Sequence, residues 1–493
     1  MMNETTAPST ESPAKHTELL VLGAGPGGYV AAIRAAQLGM QVTVVEDCYW
    51  GGVCLNVGCI PSKVLLRNAE IANTLMHHAE EYGIFADGIC MDYGIAHKRS
   101  REVSARIVKG IHYLMRKNKI AEVRGWGTFQ DDHTMVVEQD DAEFVTYTFD
   151  HCIIATGAHA ATIPGVELGG PIVSFEEHIL NPELPHSIVI VAGGAIGMEF
   201  AYVLANYGVR VTIVEYLYRL LPHEDAEISA EILKHYRKLG IIVRKSFKTE
   251  AVRHTGDGVE VDIAPVPDKD GHIPEDAIPE TIYADRCLIS TGFRPNVEGY
   301  GLENTGVELT DRGAIAIDGY MRTSVPHIYA VGDVTAKLQL AHVAEAQGVV
   351  AADSIGGVET EPIDDYRMMP RATFCNPQVA SFGLTEEEAN LLAKQDPSVE
   401  VEVSKFPFSA NGKAQGLGAG VGFVKLIADG RYGELLGAHI IGPHASELLP
   451  EYVLAQRLEL TSEEIANTVH IHPTLSEALK ESAEGILGSM INL

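Results

Sequence analysis

A chain of 493 residues is long for a single hydrophobic core and has room for about three domains. Apolar residues make up 46% of it, yet no run approaches the roughly 18 needed to span a bilayer, which predicts a globular chain without a membrane span. With 37 basic side chains against 67 acidic ones the net charge is −30, which argues against general electrostatic binding to nucleic acid or to an anionic membrane.

The first 16 residues are polar, lack the apolar core of a secretory signal, and carry Glu4 and Glu11 where a transit peptide would carry arginines. They read as a short disordered tail on a cytoplasmic protein. Leu19–Leu22 then predicts a buried strand, followed by Gly23-Ala24-Gly25-Pro26-Gly27-Gly28, an alanine-rich helix to about Leu38, and a strand Gln41–Glu46. This is a dinucleotide fingerprint in its full strand-helix-strand setting. Gly23, Gly25 and Gly28 let the backbone approach a pyrophosphate at the helix N-terminus, and Glu46 can accept hydrogen bonds from an adenosine ribose.

Next comes Gly51-Gly52-Val53-Cys54-Leu55-Asn56-Val57-Gly58-Cys59-Ile60-Pro61-Ser62-Lys63. On a regular helix positions five apart lie about 140° around the axis and about 9 Å apart, too far for a disulfide, so this pair needs an irregular turn. Gly51, Gly52 and Gly58 can supply unusual dihedrals, and Pro61 suits the first turn of a helix expected over Lys63–Tyr82. Cys59 would then sit near a helix N-terminus, where the dipole lowers thiol pKa. A pair of buried free cysteines and half of a zinc site are the competing readings; no second CxxC and no nearby histidine pair supports zinc. Seven cysteines is odd and modest for this length, so a secreted disulfide framework is not expected, and a disulfide here would be catalytic.

The nucleotide unit recurs 169 residues later, with strand Ile188–Val191, the turn Ala192-Gly193-Gly194-Ala195-Ile196-Gly197, a helix through Tyr207, and strand Arg210–Glu215. Ala192 stands where the first glycine makes the tight turn. Gly193, Gly194 and Gly197 remain, and Glu215 would bond a free 2′-hydroxyl and repel a 2′-phosphate, favouring NAD over NADP. Arg219, four residues on, is the one basic group that weighs against this. A second echo pairs the run Asp150–Gly157 with Asp285–Gly292; each reads as a buried strand ending in Thr-Gly, with Cys152 and Cys287 in the core. Cys48, Cys90 and Cys375 have no partner spacing and are expected to be structural. Beyond residue 365 short alternating strands, Gly422–Ala428 and Glu434–Ile441, precede helices Ala445–Leu458 and Ser462–Thr468, a separate α+β domain. It closes with Val469-His470-Ile471-His472-Pro473-Thr474-Leu475-Ser476-Glu477. No third ligand accompanies the two histidines, so no metal is expected there.

Together, two nucleotide units, a CxxxxC just after the first, and a His-Pro with a glutamate five residues beyond the histidine resemble the disulfide-flavin oxidoreductases, over Glu18–Leu493. The resemblance implies an α/β fold of two Rossmann-like domains with an α+β dimerisation domain. The expected division is an FAD-binding domain over 17–158 and 286–365, an NAD-binding domain over 159–285 and a dimerisation domain over 366–493. It implies FAD on Gly23, Gly25, Gly28 and Glu46, with Gly127 near the adenosine, Gly157 and Gly292 at the strand ends, Asp333 on the ribityl chain and the backbone of Ala341 at the flavin ring. Lys63 would sit beside that ring, paired with Glu199. The closest branch oxidises protein-bound dihydrolipoamide with NAD, serving lipoylated acyltransferases of 2-oxoacid dehydrogenase complexes or the lipoyl carrier of glycine cleavage. In that branch Cys54 exchanges with the substrate sulfur, Cys59 lies nearer the flavin, and His472, oriented by Glu477, takes the thiol proton in a homodimer. Glutathione-type reductases use basic residues where Glu215 stands, and mercuric reductases need a C-terminal cysteine pair, whereas no cysteine follows Cys375. A non-catalytic flavoprotein subunit would have no need of Cys54, Cys59, His472 and Glu477 together.

Overall fold

The computed structural model describes residues 14–85, 87–140, 143–267, 271–273 and 277–493, in two compact units. Residues 1–13 of the expected tail lie outside the described residues. Lys15 and His16 are strand, paired with Tyr147 and Thr148, because the backbone hydrogen bonding of the first sheet extends upstream of the apolar run that marks it in sequence.

The first unit comprises the chain up to Cys59, Ser104–His159 and Phe293–Asp364. Leu19-Leu20-Val21-Leu22 is the near-continuous apolar run of a strand covered on both faces. Its strand, Lys15–Leu22, runs parallel to Val42–Glu46 on one side and Phe144–Ile154 on the other, with Leu20 opposite Thr43 and Cys152. Ala121–Arg124 continues the sheet in parallel beyond Val42–Glu46. The strand Phe144–Ile154 serves two neighbours along its other edge: Thr134–Glu138 pairs antiparallel with its first half, and Ile328–Ala330 pairs parallel with its last three residues. The helix Pro26–Gln37 packs on Ala341–Ile355 at a crossing of small residues, where a side chain at Gly348 would meet the carbonyl of Gly27. Phe129, Phe149 and Tyr300 fill the core beneath, the first two edge to face at 6.2 Å.

The second unit comprises Ile60–Val103, Ala160–Gly292 and Asp365–Leu493. Its parallel sheet orders Ile242–Lys245, Arg210–Glu215, Ser187–Val191, Arg286–Ile289 and Ile172–Val173. The compact units divide the chain differently from the expected spans at two places. The strand Arg286–Ile289 completes this sheet, so the return to the first unit starts at Phe293 rather than at residue 286. Residues 60–103, expected within the span 17–158, group with the second unit, where Tyr93 meets Tyr207 edge-on at 5.3 Å and His97 Nε2 lies 3.1 Å from the Ile179 carbonyl.

The C-terminal part is an antiparallel sheet ordered Arg371–Thr373, Gln378–Gly383, Leu435–Gly442, Phe423–Asp429, Val401–Pro407. Phe382, Phe406, Phe408, Tyr452 and Leu479 fill its core. The helix expected over Ala445–Leu458 is two, Ala445–Leu448 and Pro450–Arg457, because proline at position 450 lacks the N–H a continuous helix needs and suits the start of a new one. Lys425, 1% exposed, joins this sheet to the helix Ala226–Lys238, with its ammonium 2.9 Å from Asp225, 2.9 Å from Glu227 and 2.6 Å from Glu386. Among the described residues no helix is long and apolar enough to cross a membrane.

Candidate active site

Cys54 and Cys59 form a disulfide. Cys54 lies on the short helix Gly52–Asn56, the helix breaks at Val57 (φ −135°), and Cys59 opens the helix Cys59–Asn73. The break brings the two Cα atoms to 4.6 Å, inside the disulfide range, which is the irregular turn the spacing demands. Gly51 (φ +86°) and Gly52 (φ +66°) adopt left-handed conformations, whereas Gly58 does not; it is needed for close approach, since a β-carbon there would lie 3.0 Å from the Val53 carbonyl oxygen. Asn56, which sequence reasoning passed over, donates from Nδ2 to the carbonyls of Trp50 and Gly52, both at 2.9 Å, and holds the loop shut. The loop is tied to the first nucleotide turn, because the Gly51 N–H donates to the Ala24 carbonyl at 2.9 Å. The remaining helix starts four residues earlier than expected, which places Cys59 itself at the dipole's positive end.

The 169-residue repeat is kept down to single hydrogen bonds. Glu46 Oε2 accepts from the Ala24 N–H at 2.8 Å, and Glu215 Oε2 accepts from the Gly193 N–H at 2.6 Å. The other oxygen of Glu46 accepts from Cys48 and Tyr49, and that of Glu215 from Leu217, so each carboxylate keeps acceptor capacity for a ribose hydroxyl. Both following helices, Pro26–Gln37 and Ala195–Asn206, start from an extended glycine, Gly25 or Gly194, with no side-chain cap on the first-turn N–H groups. That leaves a seat for a pyrophosphate. Side chains at Gly28 and Gly197 would strike the carbonyls of Gly23 and Ala192, the same close approach twice. The turns differ at one position: Gly23 has φ +104°, and Ala192 takes φ +82° with a β-carbon.

Asp333 lies in the turn Gly332–Thr335, whose Gly332 N–H is fixed by Gln347 at 2.7 Å, and desolvation pushes its carboxyl up to about 6. A hydroxyl-rich ligand could donate to this carboxylate and offset its desolvation. Ala341 opens the helix Ala341–Ile355. Gly127 is fixed by packing, since a side chain there would meet Met135 and Leu22. Gly157 and Gly292, at φ +70° and +109°, turn the chain after the two echo strands.

Lys63 Nζ lies 3.0 and 2.8 Å from the two oxygens of Glu199, a nearly buried residue. Phe374, unmarked by any motif, completes this pair: its N–H donates to Glu199 Oε1 at 2.9 Å and its ring centre lies 4.5 Å from the ammonium. At the far end of the chain His472 Nδ1 is 2.8 Å from Glu477 Oε1, while Glu477 Oε2 accepts from the Thr474 N–H at 2.8 Å. Burial alone would raise the Glu477 carboxyl, but the Thr474 N–H and His472 hold it below the usual carboxylate range. A carboxylate on Nδ1–H leaves Nε2 as the acceptor, and the His472 side chain is 79% exposed. His470 is engaged otherwise, with its nitrogens against the Thr468 carbonyl and Glu451.

Arg219 is committed elsewhere, to the Pro222 carbonyl at 3.1 Å and to Glu387 at 3.1 Å. Cys152, Cys287 and Cys375 are buried, and burial raises all three thiols, the last two to about 12. Cys48 and Cys90, expected to be structural, are exposed.

A family model described as pyridine nucleotide-disulphide oxidoreductase matches residues 17–348, and one for the dimerisation domain of the same group matches 369–483. The chain is 59% identical over 478 residues to a dihydrolipoyl dehydrogenase of Corynebacterium glutamicum, covering 97% of this chain and 99% of the relative. It is 54% identical over 477 residues to one of Mycobacterium tuberculosis, with the same coverage. Among solved structures it resembles LpdA from Mycobacterium tuberculosis (TM-score 0.85, 26% identity) and the HOCl-induced flavoprotein disulfide reductase RclA from Escherichia coli in its Cu(II) complex (TM-score 0.83, 25% identity). Each comparison covers 95% of this chain and 99% of the other.

Proposed function

We propose, from the premise that this chain belongs to the pyridine nucleotide-disulphide oxidoreductases, that it acts as a dihydrolipoyl dehydrogenase, oxidising protein-bound dihydrolipoyl groups with NAD. The observation that carries this reading is the Cys54–Cys59 disulfide at the mouth of a helix, tied by Gly51 to the first nucleotide turn. One substrate thiol gives its proton to His472 Nε2 and its sulfur attacks Cys54 Sγ; the Cys54–Cys59 bond breaks, and Cys59 leaves as a thiolate favoured by the helix N-terminus. The second substrate sulfur then displaces Cys54, its proton passing to the departing Cys54 sulfur, so the substrate leaves as a disulfide and the protein holds two reduced sulfurs. Bound FAD supplies the two-electron relay from those sulfurs to the nicotinamide. Overall a dithiol and NAD⁺ become a disulfide, NADH and a proton.

The Glu46 and Ala24 turn, with Asp333, would hold FAD; the Glu215 and Gly193 turn would hold NAD, with a carboxylate facing any 2′-phosphate. The engagement of Arg219 with Glu387 supports NAD over NADP. The dimerisation domain supports a homodimer. By family resemblance the histidine of one subunit serves the disulfide of the other, which would leave a monomer inactive. We place the enzyme in the cytoplasm, working with lipoylated acyltransferases or lipoyl carriers. Lipoamide reduction by NADH, compared with glutathione disulfide reduction by NADPH, tests the reading: the first should be fast and the second negligible, and the reverse would assign a glutathione-type reductase.

A further inference from the structure

We propose that Phe374 is a positioning residue that aims the ammonium of Lys63 at the flavin; this rests on the reading that Lys63 sits beside that ring. An ammonium has three N–H bonds. Glu199 takes two of them, at 3.0 and 2.8 Å, and so fixes the nitrogen but leaves the flexible lysine stem free to swing about that pair. The Phe374 ring, its centre 4.5 Å from Nζ, removes that freedom, since a cation within about 6 Å of an aromatic face is held there electrostatically. The carboxylate on one side and the ring on another together restrict where the third N–H can point.

Phe374 also acts on the carboxylate. Its own N–H donates to Glu199 Oε1 at 2.9 Å, so the same residue orients both members of the pair. It is carried rigidly: it follows the strand Arg371–Thr373, whose Thr373 pairs with Val379, and the next residue is the buried Cys375, its thiol 3.3 Å from the Pro377 carbonyl. An ammonium so aimed favours the negative charge that two-electron reduction brings to the flavin, and one that wanders favours it less.

The test is the midpoint potential of FAD in the holoenzyme. Phe374→Leu keeps the N–H and removes the ring. It should cost about fivefold in the equilibrium for flavin reduction, which at roughly 30 mV per tenfold for a two-electron couple is a shift of about 20 mV to more negative potential. Phe374→Tyr, which keeps the ring face, should leave the potential where it is. Lys63→Met should lower the potential further, and adding Phe374→Leu to it should change nothing more. Equal shifts from Phe374→Leu with and without Lys63 would overturn the role of Phe374 while leaving Lys63 at the flavin. An unchanged potential in Lys63→Met would overturn the placement of Lys63 and this proposal with it.

Discussion

Ala192 does with a β-carbon what Gly23 does without one, and the two copies of the turn allow a reciprocal test. At φ +82° a non-glycine residue is strained by about 1–2 kcal/mol. Replacing it by glycine relieves that strain but loosens the unfolded chain, a loss of about 0.4–1 kcal/mol. Ala192→Gly should therefore stabilise the segment around residues 187–215 by about 0.5–1 kcal/mol. The reverse change is not symmetrical. A β-carbon on Gly23 would add strain at φ +104° and run into the Ala155 carbonyl, so Gly23→Ala should cost about 2–5 kcal/mol and release FAD. In the strand echo Ser290 stands where Ala155 does, and its hydroxyl donates to the Val191 carbonyl at 2.7 Å and the Ala192 carbonyl at 3.1 Å. Ser290→Ala should cost about 1 kcal/mol, and less once Ala192 is glycine. Hydrogen exchange of the peptide spanning 187–215 in the holoprotein measures the Ala192 and Ser290 effects, and flavin content reads the Gly23 one. Destabilisation by Ala192→Gly, or a Gly23→Ala protein that keeps its flavin, would refute the reasoning.

His472→Gln should lower lipoamide turnover by at least about 10², the usual worth of a lost general base, with flavin content unchanged; unaltered turnover would remove His472 from the reaction. Glu215→Ala should raise the ratio of NADPH to NADH affinity, measured by equilibrium titration, by at least about tenfold, because the carboxylate that repels a 2′-phosphate is gone; an unmoved ratio would place specificity elsewhere. Lys425→Met should destabilise the protein by about 3–5 kcal/mol at pH 7, since Asp225, 2% exposed, is left with an unpaired buried charge. The pH dependence has a definite sign. Burial would raise the Asp225 carboxyl, but Lys425 and the Glu227 N–H outweigh it and depress it below 3.8, so its contribution is full above that pH and is lost as pH falls through the depressed value. The variant should therefore differ from the parent most at neutral pH and least near pH 3; a constant difference in urea midpoint across that range would contradict the ion-pair account.

What could be seen in the sequence followed from how far apart the cooperating residues lie. The disulfide spans five residues, and the two Gly-to-Glu units fit within about 25, so fixed local geometry links spacing to contact. Asn56 lay inside the same short loop and was missed because an asparagine among glycines reads as turn chemistry before it reads as a brace. The residues that stayed hidden act across the chain. Arg219, the basic group four residues after Glu215, is held by Glu387, 168 residues later. Phe374, 311 residues from Lys63, carries no motif, because a backbone N–H and a ring face suit many residue contexts.

The compact units depart from the expected spans for a related reason. Apolar periodicity marks the strand Arg286–Ile289 but not which sheet it joins, and its parallel register against Ser187–Val191 decides that. Likewise the segment 60–103 continues the cysteine helix in sequence, yet Tyr93 against Tyr207 and His97 against Ile179 commit it to the second unit. Cys59 opens the redox helix Cys59–Asn73, and Lys63 lies one turn later on the same helix. Cys59 and Lys63 are four apart on a rigid helix, so their separation along it is fixed whatever else moves. A substitution that breaks the helix between them, such as Ser62→Pro, should uncouple thiol exchange from flavin reduction: the first half-reaction with dihydrolipoamide would persist as a protein dithiol while NADH formation fails. Loss of both half-reactions together, with FAD still bound, would show that the helix serves only to seat the disulfide.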